Sequence, residues 1–291
     1  MLKKIRFIVN PVSGVGRQKR VAELIKQFID AAIFDYEIAY TKAPGHAIEL
    51  SLEAAQQNYF LVVAVGGDGS VSEVAKGLIN SDTAMGIIPT GSGNGLANHF
   101  KIPSHIPSAL EVINKGAIIK IDTLKVNGEA CVGIAGVGFD AHIAHEFANF
   151  GRRGFWSYCR IVIRESLKFT TNNYEINIDG NILQRKAFLV TFANSSQYGN
   201  NAIIAPEADI QDGYMDVCIL KKISFLNIPF LIYRLFTGTI HRSHSLEIIR
   251  GRYVNIKNNT NGLAHIDGDP KVLGQNIEVI LNPLSLKVLI P

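Results

Sequence analysis

One aspartate lies among three glycines in the segment VGGDGS at residues 65–70. A continuously apolar run, residues 60–65, leads into it and a helical pattern follows, so the segment is predicted to join a buried strand to a helix. Glycines there let backbone N–H groups approach an anion, and a helix N-terminus adds a favourable dipole. A bare carboxylate beside phosphate groups is repulsive unless it binds a cation or accepts a proton. We therefore expect Asp68 to be catalytic or linked to a metal; the alternative is a turn whose aspartate caps the helix.

Two further glycine-rich turns follow predicted strands of the same sheet, NPVSGVG at residues 10–16 and PTGSGNG at residues 89–95. Neither matches the P-loop GxxxxGK[ST] or the dinucleotide fingerprint GxGxxG. The segment GVGFDA at residues 136–141 matches the looser GxGxxA, but no βαβ unit surrounds it and we discount it. Three such turns at successive strand ends predict a broad nucleotide cleft, with Thr41 contributing from a fourth strand end.

Acidic residues in the second half of the chain are also candidates. The segment ADIQDGY at residues 208–214 contains two aspartates three positions apart, and carboxylates of this kind are ligands that Mg²⁺ accepts. The alternative is a hairpin turn without an ion. The segment IDGDP at residues 266–270 holds Asp269, whose alternative is a plain turn between strands. Asp122 is either a further cleft carboxylate or a structural residue.

The elements that position these residues change character near residue 120. Before it, helical and strand periodicities alternate, which predicts βαβ units and a parallel sheet with right-handed crossovers. After it, short alternating strands with Asn, Asp and Gly turns predict an antiparallel β domain, interrupted by helices near residues 155–168 and 226–236. The expected fold is an α/β N-terminal domain, residues 1–122, and a mainly antiparallel, sandwich-like β domain, residues 123–291, with the nucleotide in the cleft between them.

Composition limits the function classes. The chain is 47% hydrophobic and 19% charged, which suits a sizeable core and excludes global disorder. Its net charge of +4 is scattered without a block of five like charges, which argues against nucleic acid as a partner. The three cysteines are widely spaced, which predicts reduced thiols in a cytoplasmic protein.

No segment is predicted to span a membrane. The N-terminal apolar run ends by Val9 and is too short for a signal-peptide core. The longest apolar stretch, residues 223–240, is interrupted by Asn227, Pro229 and Arg234, so we expect a helix of a soluble domain. The alternative is a helix that lies against a membrane surface.

The motifs NPVSG, GGDGS followed by Glu73, and PTGSGN occur in the order and spacing of the diacylglycerol kinase catalytic family. The chain resembles that family over essentially its whole length. The family includes bacterial diacylglycerol and phosphatidylglycerol kinases, sphingosine kinases and ceramide kinases. The resemblance implies an ATP-dependent lipid kinase that uses Mg²⁺ and phosphorylates a hydroxyl of a diacylglycerol-like or sphingoid-like lipid. It also implies a nucleotide-binding first domain, a lipid-substrate second domain and a peripheral contact with the membrane.

The resemblance implies roles for individual residues. Those expected to contact ATP or line its phosphate pocket are Asn10, Thr41, Gly66, Gly67, Asp68, Gly69, Ser70, Val71, Ser72, Glu73, Gly91, Ser92 and Asn94. The expected ligands of a structural Mg²⁺ are Asp209, Asp212 and the Tyr214 carbonyl. The general base is expected to be Asp68 or Asp269, the latter standing where the family has the glutamate of a DGE segment.

The chain departs from the bacterial diacylglycerol kinase pattern at two of these places. Gly95 stands where those enzymes usually carry an aspartate, so one carboxylate of their metal network is missing, and Asp269 is one methylene shorter than glutamate. The form GSGNGLA looks more like the sphingosine and ceramide kinase branch. Asp140 falls near an aspartate with which sphingosine kinases hold the lipid head group; a buried turn aspartate that caps the next helix is the alternative.

The membrane contact is expected at a basic and aromatic edge formed by Arg152, Arg153, Trp156 and Tyr158, with a solvated loop and packed helix as the alternative. NAD kinases and phosphofructokinases also use GGDG. The chain lacks the TIDND-type segment of the latter and the Asn-Glu pair of the former. A lipid-binding pseudokinase is the non-enzyme alternative, and a homodimer is left open.

Overall fold

A computed structural model describes residues 2–11, 20–149, 155–224, 227–258 and 262–291. The chain forms two compact units, Met1–Ile121 with Leu284–Pro291, and Asp122–Pro283. The domain prediction assigned every residue after 122 to the second domain. Residues 284–291 instead lie in the first unit, because Val288 pairs in parallel with Met85.

The first unit alternates strands and helices. Its elements are β1 (Lys3–Val9), α1 (Val21–Phe28), β2 (Phe34–Tyr40), α2 (His46–Gln56), β3 (Leu61–Gly66), α3 (Asp68–Leu78), β4 (Ala84–Pro89), α4 (Gly95–His99) and α5 (Ile106–Lys115). The four strands are parallel in the order β2-β1-β3-β4. The predicted parallel sheet is confirmed. Helices α4 and α5 were not predicted, and α4 has only five residues and begins at a glycine.

Strands β3 and β4 are buried at every position, which explains their continuously apolar sequences. Because the strands are parallel, their carboxyl ends meet at one edge of the sheet. The strand order places β1 between β2 and β3. The chain therefore adds β2 on one side of β1 and then returns to add β3 and β4 on the other side. Ligands of open α/β sheets bind outside the carboxyl ends at such a switch point.

The second unit is an antiparallel β sandwich with helices on one side. Its elements, counting the two strands that begin or end in the first unit, are β5 (Ala117–Val126), β6 (Glu129–Cys131), β7 (Ile134–Gly138), α6 (Phe139–Asn149), α7 (Phe155–Ser166), β8 (Asn172–Ile178), β9 (Asn181–Ala187), β10 (Leu189–Ala193), β11 (Met215–Leu220), α8 (Ile228–Phe236), β12 (Leu246–Gly251), β13 (Tyr253–Asn258), β14 (Leu263–Ile266), β15 (Asp269–Val272) and β16 (Asn276–Ile290). One sheet has the order β12-β11-β10-β7-β14-β15, and the other contains β16, β13, β8 and β9.

Alternating side chains of the six-stranded sheet fill two cores. From β10, Val190 and Phe192 face the core that the two sheets enclose, together with Tyr174 and Ile256 of the other sheet. Leu189 and Ala193 belong to the second core, which also takes residues from α6 and α7. This period of two is what a strand buried on both faces requires.

The antiparallel character of this unit and its two predicted helices are confirmed, but several elements differ from the prediction. Helix α6 was not predicted. Strands β7, β9 and β12 were also missed. Strand β16 was expected as two strands separated by Pro283, but it is a single element of 15 residues in which Leu284 has a φ of +45°.

Among the described residues, no helix is both long enough and apolar enough to cross a bilayer.

Candidate functional site

The turns that follow β3 and β4 touch each other. A Cβ atom added to Gly91 would lie 2.5 Å from the Cα of Gly67, which is closer than real Cβ contacts come. The residues directly before this contact are also joined, because the Thr90 N–H donates to the Gly66 carbonyl at 2.9 Å. Gly67 and Gly91 are therefore glycines because the two turns pack backbone against backbone.

Asp68 connects these turns through its carboxylate. Its two oxygens accept the backbone N–H groups of Asn94 and Gly95, at 2.8 and 2.6 Å. Gly95 is the first residue of α4, so Asp68, which begins α3, caps the helix of the neighbouring turn. Gly93 must lack a side chain there, because an added Cβ would lie 2.6 Å from the Asp68 Oδ2. The capping alternative thus holds for α4 rather than for the aspartate's own helix, and the catalytic role of Asp68 stays a prediction.

Gly69 is a glycine that the protein's own packing does not require. An added Cβ would meet no atom within 4 Å, the residue is exposed, and its φ lies outside the left-handed region. It occupies the first turn of α3, where backbone N–H groups have no intrahelical partner. An uncrowded backbone at a helix N-terminus is suited to an anionic group.

Asn94 carries a hydrogen-bond acceptor that this loop pair leaves without a donor. It adopts the left-handed conformation, with φ of +51°, and its side-chain N–H group donates to the Gly91 carbonyl at 2.9 Å. Its Oδ1 atom is buried and has no hydrogen-bond partner within the described part of the chain. A buried acceptor without a donor is costly, so this oxygen fits a ligand that donates to it. The uncovered backbone at Gly69 suits a phosphate, and the Asn94 acceptor suits a donor such as those of the ribose and base of a nucleotide.

The other predicted nucleotide contacts lie at the same sheet edge, with varied roles. Across the switch point, the Asn10 side chain donates to the Ser70 hydroxyl at 3.3 Å. The Thr41 N–H donates to the Val9 carbonyl at 3.0 Å. Val71 and Ser72 are buried, whereas Ser92 is exposed.

Glu73 faces α2. Its carboxylate accepts the N–H groups of Gly45 and Ala47 at 2.9 and 3.2 Å, so it caps that helix. Its predicted contact with ATP stays a prediction. The remainder of the NPVSGVG turn, residues 12–16, lies outside the described residues.

The acidic turn of the second unit satisfies its own carboxylates. Asp209 accepts the N–H of Gln211 at 3.0 Å, and Asp212 accepts the N–H of Tyr214 at 2.9 Å. The fully buried Asp122 accepts the N–H of Gly213 at 2.8 Å, which gives Asp122 a structural role beneath the turn.

Arg250 supplies a positive charge to this turn. Its guanidinium pairs with Asp212, and its Nε lies 3.7 Å from a carboxylate oxygen of Asp216. Arg250 and Arg252 also stack on the Tyr214 ring, at 4.9 and 4.5 Å from its centroid. Sequence reasoning missed these two arginines, since nothing in their local sequence marks them as partners of a distant turn.

The predicted Mg²⁺ ligands lie beside a cation that the protein itself supplies. Among the described residues, no three His, Cys, Asp or Glu side chains come together to hold a metal. One Asp212 oxygen pairs with the Arg250 guanidinium. An ion held by Asp209, Asp212 and the Tyr214 carbonyl stays a prediction.

Asp216 follows the turn on β11 and is 6% exposed. Burial, with a smaller contribution from Glu207, raises the pKa of Asp216 to about 6. Arg250 acts in the opposite direction but is already paired with Asp212.

The DGD segment forms the hairpin between β14 and β15. Asp267 and Gly268 occupy its two-residue turn with φ of +50° and +86°, and Ile266 pairs with Asp269. The Asp267 carboxylate accepts the N–H groups of Val132 and Gly133, at 3.0 and 2.8 Å. Asp267 therefore anchors the hairpin, and Asp269 is exposed at the first position of β15.

Asp140 belongs to a buried polar cluster of the six-stranded sheet. One of its oxygens, Oδ2, lies within hydrogen-bonding distance of Thr191 (2.8 Å), Tyr198 (3.3 Å) and His265 (3.3 Å). The Asp140 side chain is 9% exposed, and a Cβ on Gly136 would collide with Oδ2. Gly136 thus makes room for Asp140, and the sequence carried no signal for the partners of Asp140 because they come from distant parts of the chain.

The predicted membrane edge cannot be placed. Arg152 and Arg153 lie outside the described residues, as do the side chains of Trp156 and Tyr158.

Comparison with known proteins decides the family. The profile described as "Diacylglycerol kinase catalytic domain" matches residues 4–126, and the "YegS C-terminal NAD kinase beta sandwich-like domain" matches residues 133–290. A diacylglycerol kinase of Bacillus subtilis (strain 168) is 31% identical over 229 residues, which cover 76% of this chain and 75% of that protein. The chain belongs to the diacylglycerol kinase family.

The chain is also similar to a further relative in sequence and to a solved structure in fold. A diacylglycerol kinase of Staphylococcus aureus (strain bovine RF122 / ET3-1) is 28% identical over 276 residues, covering 92% of this chain and 87% of that protein. A solved diacylglycerol kinase structure from Bacillus anthracis (strain Sterne) has the same fold, with a TM-score of 0.76, 21% identity, and coverage of 99% and 97%. Membership in the diacylglycerol kinase family makes the chain a phosphotransferase with an alcohol group as acceptor.

Proposed function

We propose that this enzyme transfers the γ-phosphoryl group of ATP to a hydroxyl group of a diacylglycerol-like or sphingoid-like membrane lipid. The observation that carries the proposal is the paired glycine turn: Asp68 holds both turns together while the backbone at Gly69 stays uncovered. That turn lies within the residues that match the diacylglycerol kinase catalytic domain. The first unit binds the nucleotide and the second binds the lipid.

The N–H groups at the start of α3 hold the phosphates of ATP, with Gly69 at the closest approach. The Asn94 Oδ1 accepts a hydrogen bond from the rest of the nucleotide, and the Ser92 hydroxyl donates or accepts one. Asn10 and Thr41 lie at the same edge of the sheet, after β1 and β2. Mg²⁺ arrives as the counter-ion of ATP and belongs to the substrate.

Phosphoryl transfer depends mainly on positioning and charge stabilisation. The lipid oxygen attacks the γ-phosphorus, the bond from that phosphorus to the β,γ-bridging oxygen breaks, and ADP leaves. The hydroxyl proton passes to a carboxylate as the new P–O bond forms.

Asp269 is the better candidate for that carboxylate. Both oxygens of Asp68 already accept backbone N–H groups, so Asp68 is better suited to holding the phosphate turns in place. Asp269 is exposed at the end of a hairpin that Asp267 anchors. Replacement of the family's glutamate by the shorter aspartate shifts the required position of the acceptor hydroxyl.

The enzyme is proposed to work in the cytoplasm at a membrane surface, because its acceptor is a bilayer component. A second candidate, phosphorylation of NAD, follows from the description of the matched β sandwich as NAD kinase-like. It shares the nucleotide donor and differs only in the acceptor.

The test is incubation with labelled Mg·ATP and a panel of acceptors: diacylglycerol, phosphatidylglycerol, a sphingoid base, undecaprenol and NAD. We expect label in a lipid and none in NAD, with loss of labelling in Asp68→Ala. Label in NAD alone would replace the lipid by the dinucleotide. Lipid binding without consumption of ATP would indicate a pseudokinase.

A further inference from the structure

Helix α8 (Ile228–Phe236) has an apolar outer face. Phe230 and Tyr233 are 55% and 62% exposed, and Phe236, three positions further, is 36% exposed. Residues three apart lie on one face of a helix, so these aromatic rings form one outward stripe. The helix buries none of its residues completely.

The opposite face of α8 anchors the helix. Leu231 and Leu235, four positions apart, pack against the core on the helical side of the six-stranded sheet. Ile240, in the short 3₁₀ helix Ile240–Arg242 that follows, is almost fully buried and fixes the end of the segment. An outward face on a globular protein is normally polar, so an aromatic one indicates contact with something other than water.

The segment that contains α8 carries formal charge of one sign. Between Asp216 and Glu247 the sequence contains no acidic residue, whereas it contains Lys221, Lys222, Arg234 and Arg242. Lys221 pairs with Glu247, whereas Lys222, before the helix in the sequence, and Arg242, after it, are exposed. The Arg234 guanidinium lies 4.4 Å from the centroid of the Phe230 ring. Aromatic rings with basic neighbours match an interface whose inner layer is apolar and whose outer layer is anionic.

The neighbouring helix α7 shows the contrast. Its outward positions include Arg164 and Lys168 just beyond its end, and Arg164 pairs with Glu146 and Glu165. Ile163 and Leu167, 52% and 59% exposed and four positions apart, are aliphatic and stand beside these paired charges. The stripe of α8 is instead aromatic, and the basic residues near it in the sequence are not matched in number by acidic ones.

We propose that α8 docks on the surface of an anionic bilayer, with Phe230, Tyr233 and Phe236 in the headgroup region and the flanking lysines and arginines on the lipid phosphates. The inference rests on the proposed function to the extent that a lipid kinase takes its acceptor from such a surface. It deepens that proposal by naming the surface that makes the contact.

The test is co-sedimentation of the full chain with vesicles of phosphatidylcholine, with and without about 30 mol% phosphatidylglycerol. We expect binding to the anionic vesicles that falls as salt is raised. The double variant Phe230→Ser/Tyr233→Ser should bind them roughly tenfold less, because two apolar rings no longer enter the interface. Lys222→Glu/Arg242→Glu should remove the preference for anionic lipid.

The matched control is Ile182→Ser, since Ile182 is 64% exposed on β9 in the other sheet of the same unit. It should leave vesicle binding unchanged. Because Phe230 and Tyr233 face outward, circular dichroism and the melting temperature of the double variant should match the wild type.

Three outcomes would overturn the proposal: absence of vesicle binding by the wild type, unchanged binding by the double variant, or conversion of a dimer to a monomer with vesicle binding intact. The last would show that a second copy of the chain covers α8. The docking and the activity fail separately. If the double variant loses binding while the wild type labels no lipid, docking stands and the proposed kinase activity fails. If activity is present, the variant should lose it toward vesicle lipid and keep it toward a monomeric short-chain acceptor.

Discussion

Two turns rich in glycine and aspartate, one in each unit, present the same residue types and different surroundings. At the first turn, residues 65–70, the Asp68 carboxylate accepts hydrogen bonds from backbone N–H groups of the turn at residues 89–95, and the backbone of the neighbouring Gly69 stays uncovered. At the second, Asp212 is neutralised by Arg250. The protein thus supplies partners to the carboxylates of both turns, and what distinguishes the first turn is the uncovered backbone at Gly69, where we propose that the ligand binds.

The largest effect is expected from Asp68→Ala. The variant loses both hydrogen bonds that join Asp68 to the turn at residues 89–95, so the nucleotide loops lose their alignment. We expect kcat to fall about 10²-fold, the size of the loss when reacting groups are misplaced by about 1 Å. Asp68→Asn keeps one acceptor oxygen, so its kcat in a labelled-ATP assay should lie between those of the wild type and Asp68→Ala. Near-normal turnover in Asp68→Ala would show that phosphoryl transfer does not depend on the alignment that Asp68 provides.

Gly91→Ala tests whether the turns must touch. Its Cβ would lie 2.5 Å from the Gly67 Cα, and we expect a loss of stability of about 1–3 kcal/mol with a loss of ATP binding. Chemical denaturation measures the first effect. An unchanged unfolding midpoint would mean that the turns are free to separate.

The second turn gives a pH dependence through Asp216. Its pKa of about 6 in the folded protein exceeds its ordinary value of 3.8, so the folded state binds more protons between these two values. Stability from this residue is therefore complete below pH 3.8 and is lost as pH rises through 6. Asp216→Asn should be more stable than the wild type above pH 6, by on the order of 2 kcal/mol, and equal to it near pH 4. A difference that does not change with pH would contradict the buried-carboxylate explanation.

The smallest effect concerns the metal. Because Arg250 supplies the charge at the second turn, we expect a chelator to leave the melting temperature of the wild type unchanged. Arg250→Ala should lose about 1 kcal/mol or less, since the guanidinium is half exposed, and should then gain stability from Mg²⁺. Arg252→Ala is the control, because Arg252 stacks on the same tyrosine and donates to the Gly213 carbonyl at 3.2 Å. A fall in the wild-type melting temperature on addition of the chelator would show that the turn holds a metal ion after all.

Sequence patterns predicted the sheet and the edge at which the site lies, because buried parallel strands and glycine turns are local signals. They did not predict that Asp68 bonds to Asn94, since that contact joins residues 26 positions apart in neighbouring turns. The register of β11 and β12 sets Asp216 opposite Arg250, and periodicity does not reveal which strands pair. The partners of Asp140 were not predicted for the same reason, since Thr191 and His265 come from separate strands.

The most direct measurement is the affinity of a non-hydrolysable ATP analogue for Gly69→Ala, determined by isothermal titration calorimetry. The added methyl group meets no protein atom, and alanine is favoured over glycine in a helix, so the variant should be as stable as the wild type or slightly more so. We predict binding about tenfold weaker despite that stability, because the methyl group occupies the space that the phosphates need. Equal affinity in the two proteins would show that nucleotide phosphate does not approach α3 at Gly69 and would contradict the proposed site.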